Sequence, residues 1–486
     1  MKIRHKSEVS KNLEKNVTVL KRLLGVDKNF DVIQVDLFYA ERNMALFFID
    51  GFIKDDLFLH IMRLLSNLEP DQIDRRPLEK LVKTYIPYVE IETTNSLETV
   101  VDNVLSGPVA LLVDGMEEAI LIDVRTYPAR NPEEPDIERV VRGARDGYVE
   151  TLVMNTALTR RKIRDRSLRM EFLQVGTRSK TDTVICYLKD IADPNLVEKV
   201  KQSLKKIKTD AIPMAEKTVE EYISGQHWNP YPTVRYTERP DTAAAHLYEG
   251  HVCIIVDGSP SVIITPTTFW HHLQHAEEYR NKPIVGAYLR LIRYIGVFAS
   301  IFLLPLWYLF AVEPELLPPS LSFIGPENGG DIPLFVQFFI IEIGIDLLRM
   351  AAIHTPSSLA TALGLVAAVL IGEVAVEVGL FTHEVILYVA IVAIGTFATP
   401  SYELSLANRL FRLLLLLLTA AFTIYGFLIG TTMWILLLLS MKSYNVPYLW
   451  PFIPFHSRAF KDVFIRTPIP LKSRRPEILH PQDPDR

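Results

Sequence analysis

At Leu291 the chain changes character: roughly 290 residues of mixed, charged sequence lie before it and a series of long apolar segments after it. A helix rising about 1.5 Å per residue needs about 20 residues to cross hydrocarbon. Leu413 to Met441 runs 29 residues without a charge and predicts a span. Tyr294 to Val312, Ser357 to Gly372 and Val385 to Tyr402 are also uncharged and predict three more. Pro333 to Ile353 begins apolar but then carries Glu342, Asp346 and Arg349. A segment of that kind suits a protein-lined or re-entrant position better than a lipid-facing helix.

Charge distribution sets the expected orientation. Residues 1–25 are rich in Lys, Glu, Ser and Asn and have no apolar core, so the front domain is expected in the cytosol. Arg290 and Arg293 precede the first span, whereas Ala311 to Pro333 holds Glu313, Glu315, Glu327 and Asp331 without a Lys or Arg, so that span should exit outward. Lys442, Arg458, Lys461, Arg466, Lys472, Arg474 and Arg475 follow the last span and place the tail inside. The scheme is then four crossings with Pro333–Ile353 re-entrant or interfacial, in which Arg409 and Arg412 sit awkwardly on the outer side.

A formal charge of −5 gives no sign of nucleic-acid binding. Cys186 and Cys253, in the front half, support neither a metal site nor a disulfide framework and read as small buried residues. No cofactor motif is present, because the glycines never reach Walker or dinucleotide spacing. His271 and His275 are four apart on an expected helix, but no carboxylate motif accompanies them, so no metal centre and no enzyme is expected.

The front half contains a duplication. Gly107–Gly115 and Gly250–Gly258 are both aliphatic runs ending in Asp-Gly, which read as a strand and a tight turn. Each leads to a second strand-like run, Ala119–Val124 and Ser261–Thr265, and upstream of each lie two more strands and a helical pattern. The expected fold is α/β, a soluble N-terminal region of two related subdomains, joined to an α-helical transmembrane domain. The boundaries are 1–24 for a polar segment, 25–130 and 167–288 for the subdomains, 131–166 for a charged helical hinge, 289–441 for the spans and 442–486 for a basic tail.

Two groups of charged residues are candidate sites. The hinge carries Glu138, Arg142, Arg145, Glu150, Arg160 and Arg161, and a shaped loop around Pro240 carries Glu238, Arg239 and Asp241. These either form ion pairs between domains or subunits or simply solvate a helix face. In the apolar half, Glu342, Asp346 and Arg349 share a helical face, and Glu373 and Glu377 repeat the four-residue spacing. Charges at that depth imply water, mutual pairing, or both. A ring of carboxylates from several subunits would attract cations. In the other reading, Asp346 and Arg349 form a structural pair and Glu377 marks an aqueous end.

Val141-Arg-Gly-Ala-Arg-Asp-Gly-Tyr-Val-Glu150, Arg160-Arg-Lys162, Tyr236-Thr-Glu-Arg-Pro-Asp241, Val256-Asp-Gly-Ser-Pro260, Glu342-Ile-Gly-Ile-Asp-Leu-Leu-Arg349, His354-Thr-Pro356 and Val446-Pro-Tyr-Leu-Trp-Pro451 stand in this order along the chain. Together they resemble the A-subunit family of bacterial spore germination receptors, the GerA family, over roughly residues 15–470. Ala144 and Asp146 depart from that family's Pro and Glu, and Glu373 stands where it has a glutamine. The resemblance implies a multi-pass protein of the spore inner membrane, a subunit of an ion channel that releases monovalent cations early in germination. The partners it implies are further copies of the chain, a pentamer among the options, together with a small membrane protein, other receptor subunits and the lipid bilayer, with no nucleic acid. Within the family the chain looks most like members that lack a nutrient-binding B subunit of their own and amplify a response begun elsewhere. A non-conducting scaffold for receptor assembly is the competing reading.

Overall fold

A computed structural model describes residues 8–70, 90–125, 138–325, 332–354, 364 and 374–486. Glu373, nearly all of the expected span Ser357–Gly372 and the front of the charged linker, 131–137, lie outside them. The chain forms two compact units: Met1–His227 with Tyr236–Pro266 and Ile469–Arg486, and Trp228–Arg235 with Thr267–Pro468.

The first unit is α/β and internally repeated. Its first half runs α1 (Leu13–Leu24), β1 (Val32–Tyr39), β2 (Arg42–Ile49), α2 (Asp55–Ser66), β3 (Glu90–Thr94), α3 (Leu97–Ser106), β4 (Val109–Val113) and β5 (Ala119–Asp123). Its second half runs α4 (Leu152–Lys162), β6 (Leu168–Val175), β7 (Thr181–Leu188), α5 (Pro194–Lys205), α6 (Ala215–Ser224), β8 (Arg235–Thr237), α7 (Pro240–Glu249), β9 (Val252–Val256) and β10 (Val262–Thr265). Among the described residues the order is the same apart from α6, and the corresponding stretch of the first copy, 71–89, lies outside them. The sheets are ordered β1-β2-β4-β5-β3 and β6-β7-β9-β10-β8, one topology used twice. The duplicated strands and helices expected from sequence are therefore present, and each copy adds a fifth strand, β3 or β8, too short and polar to stand out in the sequence.

The central strands are apolar on both faces because both faces are covered. In β2, Ala45, Phe47 and Ile49 join a core with Leu20 and Leu24 of α1 and Val100, Val101 and Val104 of α3. Met44, Leu46 and Phe48 point the other way, into a second core with Ile61 and Leu65 of α2. The Asp-Gly turns tie the sheets to the helices that open each copy. Asp114 accepts the Leu13 N–H at 3.0 Å and Asp257 accepts the Leu152 N–H at 3.0 Å. Asn16 bonds the backbone of Ser10 in both directions, as Asn155 bonds that of Val149. Thus α4 is the counterpart of α1.

This corrects the picture of a helical hinge. Residues 138–150 run as irregular chain, and the helix begins only at Leu152. That helix is sequestered: Ala157 joins the core of the first copy and Leu158 that of the second.

The second unit is helical, with α8 (Pro283–Val312), α9 (Leu334–His354), α10 (His383–Phe397), α11 (Tyr402–Ser440) and α12 (Ser457–Phe464). By length and composition α8 and α11 are apolar enough to cross a membrane. The run read as one crossing, Leu413–Met441, is not straight. Thr423, at φ 49°, ψ −127°, reverses it. Phe411 and Trp434, 23 positions apart and hence about 34 Å apart on a straight helix, bring their rings within 6.0 Å. A Cβ at Gly426 would collide with the Leu418 carbonyl, so only glycine lets the two legs approach this closely. Composition could not reveal the reversal, since Leu413–Met441 is uncharged on both sides of Thr423. Close approach is used again where α8 meets α10: a Cβ at Gly395 would strike the backbone of Gly296.

Candidate functional site

The ionisable residues of the apolar half converge in the helical unit. Glu342 sits in the ninth position of α9, 1% exposed. Its carboxylate receives Arg412 at 2.8 Å and Arg409 at 3.4 Å, both from the first leg of α11. Arg409 also pairs with Asp346 at 2.6 Å and donates to the Glu342 carbonyl at 2.6 Å. Arg412 reaches across to the Ser300 carbonyl of α8 at 2.5 Å and to the Thr396 hydroxyl of α10 at 3.5 Å. Four helices are therefore held through one guanidinium. The awkward position of Arg409 and Arg412 in the sequence scheme resolves here: they are not loop charges at a membrane face but the buried partners of Glu342 and Asp346.

Arg349 does not pair with Asp346. Its guanidinium lies 5.6 Å from the centre of the Phe397 ring, a cation–π arrangement. Glu342, Ile345, Arg349, Thr396, Arg409 and Arg412 line a small cavity, and Arg349 Nη1, Arg409 Nε and Arg412 Nε are buried without hydrogen-bond partners. Three guanidiniums thus face two carboxylates, and the Asp346 side chain is 40% exposed. Chemically the cluster can clamp helices and hold a polar cavity among apolar walls. Glu377, at the end of a single turn Ala375–Glu377, is exposed. Sequence reasoning found the acidic side of this cluster and missed Arg409 and Arg412. The available signal was their three-residue spacing at the head of a long uncharged run, a place where loop charges and buried partners look alike.

The α/β unit has its own charged sites. Arg160 binds Asp31 through Nε at 2.9 Å and Nη2 at 3.0 Å, with side-chain exposures of 0% and 1%. This bidentate pair joins α4 of the second copy to the chain just before β1 of the first. The two charged stretches noted in the sequence do meet. Thr237 donates to the Glu138 carboxylate at 2.7 Å, and Arg239 forks onto Asp241 at 3.0 and 2.9 Å while also donating to the Ala144 carbonyl at 3.0 Å. The Glu238 carbonyl accepts the Tyr148 N–H at 2.8 Å. Arg161 is half-buried, whereas Arg142, Arg145 and Glu150 are exposed on the irregular segment and do not enter this network.

His271 and His275 are local caps. The ring Nδ1 of His271 takes the Thr268 N–H at 3.0 Å, and that of His275 takes the Glu277 N–H at 3.2 Å. Among the described residues no cluster of His, Cys, Asp or Glu is placed to hold a metal.

Comparison with known proteins then supplies the context. The chain matches the family described as Bacillus/Clostridium GerA spore germination protein over residues 18–478. It is 51% identical to stage V sporulation protein AF of Bacillus subtilis (strain 168), covering 99% of this chain and 98% of that one. It is 28% identical to spore germination protein KA of the same organism, covering 98% and 88% of the two chains. Among solved structures it is similar to the N-terminal domain of the A subunit of the Bacillus megaterium spore germinant receptor GerK3, at 24% identity over 55% of this chain and 99% of that chain, with a TM-score of 0.44. The chain belongs to the GerA family of spore germination proteins.

Proposed function

We propose that the chain is a subunit of an oligomeric ion channel in the spore inner membrane, with the α/β unit and the basic tail in the cytosol. It releases monovalent cations during germination, together with other receptor subunits and a small membrane partner. The observation that carries this reading is the cluster around Glu342, five ionisable side chains gathered among apolar helices. Each charge at bilayer depth costs at least about 2.5–3.5 kcal/mol, so such residues collect where they serve function or pairing. In this scheme Arg409 and Arg412 hold Glu342 and fix α9 against α11. Asp346, which keeps an exposed side although it pairs with Arg409, and Glu377, exposed, are the carboxylates that would meet an ion, with Glu373 as a further candidate.

The scaffold reading draws on one specific observation: the Glu342 carboxylate is already occupied by two arginines and sealed from solvent. Cation flux through proteoliposomes holding the full chain and its candidate partner separates the two. The channel reading expects flux that changes in Asp346→Asn or Glu377→Gln while the folded population does not. Absence of flux from folded, inserted protein favours the scaffold.

A further inference from the structure

The segment after the α11 hairpin has two unlike faces. Its inner face is fixed to the start of α8 and the residues before it. Phe452 stacks on Trp270 at 4.3 Å, and Phe460 and Phe464 continue the aromatic row at 4.7 and 5.2 Å. Tyr294 donates to the Val463 carbonyl at 2.9 Å, Arg290 to that of Asp462 at 2.7 Å, and Arg466 to that of Tyr279 at 2.8 Å. The outer face is open and mixed. Arg458, Lys461 and Ile465 follow the spacing of one helical face, and Phe455 precedes them by less than a turn. Phe455 is 68% exposed and Ile465 61%. Across the same unit the opening turns of α8 expose Ile284 and Tyr288 beside exposed Lys282.

We propose that α12 and the residues flanking it lie in the plane of an anionic phospholipid surface. Phe455 and Ile465 insert among the acyl boundaries, and Arg458 and Lys461 meet lipid phosphates. Three features on the molecule select this occupant. Large apolar side chains flank two cations on one exposed stripe, so apolar insertion and headgroup contact are offered on the same side. The positive charge complements an anionic headgroup layer and is drawn toward it. The stripe is also continuous in sequence with the apolar hairpin, whose last leg ends at Ser440, so the tail leaves the hairpin where lipid headgroups would begin. A second copy of the chain would instead have to bury Arg458 and Lys461 against each other's charge.

The inference rests on the membrane location proposed above, and the test separates the two. Cys186 and Cys253 are buried, so single cysteines introduced for labelling read cleanly. Full-length Phe455→Cys, Ile465→Cys and Ile295→Cys, the last on exposed α8 surface, carry an environment-sensitive fluorophore in vesicles of phosphatidylcholine alone or mixed with phosphatidylglycerol. At Phe455 and Ile465 the expected result is quenching by brominated lipid, at least twofold stronger in the anionic vesicles. That excess should disappear in Arg458→Gln/Lys461→Gln. A label at 455 quenched by water-soluble iodide as fully as one at exposed Glu221, with Ile295 still lipid-quenched, overturns the inference alone. Loss of lipid quenching at Ile295 as well overturns the membrane reading beneath it. Shielding at 455 from both quenchers shows that protein, not lipid, covers the face, and also overturns the inference.

Discussion

In the α/β unit Arg160 meets Asp31 one to one, bidentate, with almost no solvent at either side chain. In the helical unit Arg349, Arg409 and Arg412 gather around Glu342 and Asp346, and Asp346 keeps one side open. The first arrangement is balanced in charge and bidentate, with only Arg160 Nη1 left without a hydrogen-bond partner, so it behaves as a rivet between the two repeats. The second has a surplus cation, carboxylates shared between arginines, and an unpartnered guanidinium nitrogen on each of Arg349, Arg409 and Arg412.

The largest effects should come from cutting these networks. Arg160→Ala and Arg412→Ala each leave a buried carboxylate short of its partner, and each should lose about 3–5 kcal/mol in unfolding of the full chain in detergent. The double replacements tell the sites apart. Arg160→Met with Asp31→Leu should return close to wild-type stability, because a balanced pair is replaced by apolar volume. Arg412→Met with Glu342→Leu should not, because Arg409 and Arg349 then lose their nearest buried acid. Equal recovery in both would break the comparison.

Next in size is Gly426→Ala, which places a methyl group against the Leu418 backbone and should cost about 1–3 kcal/mol. Because it displaces the leg that carries Arg409 and Arg412, its effect should be non-additive with Arg412→Ala. Additivity would mean that the hairpin and the cluster are independent. Smaller again are the paired caps. Asp114→Ala and Asp257→Ala should each cost about 1 kcal/mol in chemical denaturation. Only Asp257→Ala, which frees the helix bearing Arg160, should couple to Arg160→Ala.

The most local effect is expected at the tail. Lys472 reaches Glu249 at 2.7 Å, and Gln482 bonds the Lys189 and Ala192 carbonyls at 2.8 and 2.7 Å. Burial raises the Glu249 pKa, but Lys472, with His246 and His251 adding, outweighs it and holds the carboxyl at about 2 against an ordinary 4.5. A carboxyl depressed in the folded state stabilises above its unfolded pKa, so this contribution is complete above 4.5 and fades as pH falls toward 2. Protection from hydrogen exchange at 469–486, taken relative to the unfolded-chain rate at each pH, should fall across that window in the wild type and show a smaller step in Lys472→Met.

Much of the α/β unit was legible because local chemistry marks it. The Asp-Gly turns at Asp114 and Asp257, the aliphatic runs of β4 and β9 and the amphipathic helices all follow from short-range pattern. The equivalence of α1 and α4 was harder to see. Its signature, Leu13 with Asn16 and Leu152 with Asn155, is sparse, and the basic run Arg160-Arg-Lys162 drew the second copy into a solvated hinge. In the apolar half the acidic residues of α9 stood out because charges are costly there, yet sequence gave no distance between them and Arg409, 67 positions on from Glu342.

What the sequence determined by itself was therefore the pattern: a duplicated α/β half, an apolar half, and the positions where charge interrupts it, since each follows from side-chain type and periodicity. The tertiary structure alone decided the partners. Whether Arg412 faces water or Glu342 depends on how the first leg of α11 packs on α9, and whether Leu413–Met441 crosses or folds back depends on one backbone reversal at Thr423 and one missing Cβ at Gly426. Neither leaves a trace in hydropathy, because turning an apolar helix back on itself exchanges lipid-like contacts for helix contacts of nearly the same polarity.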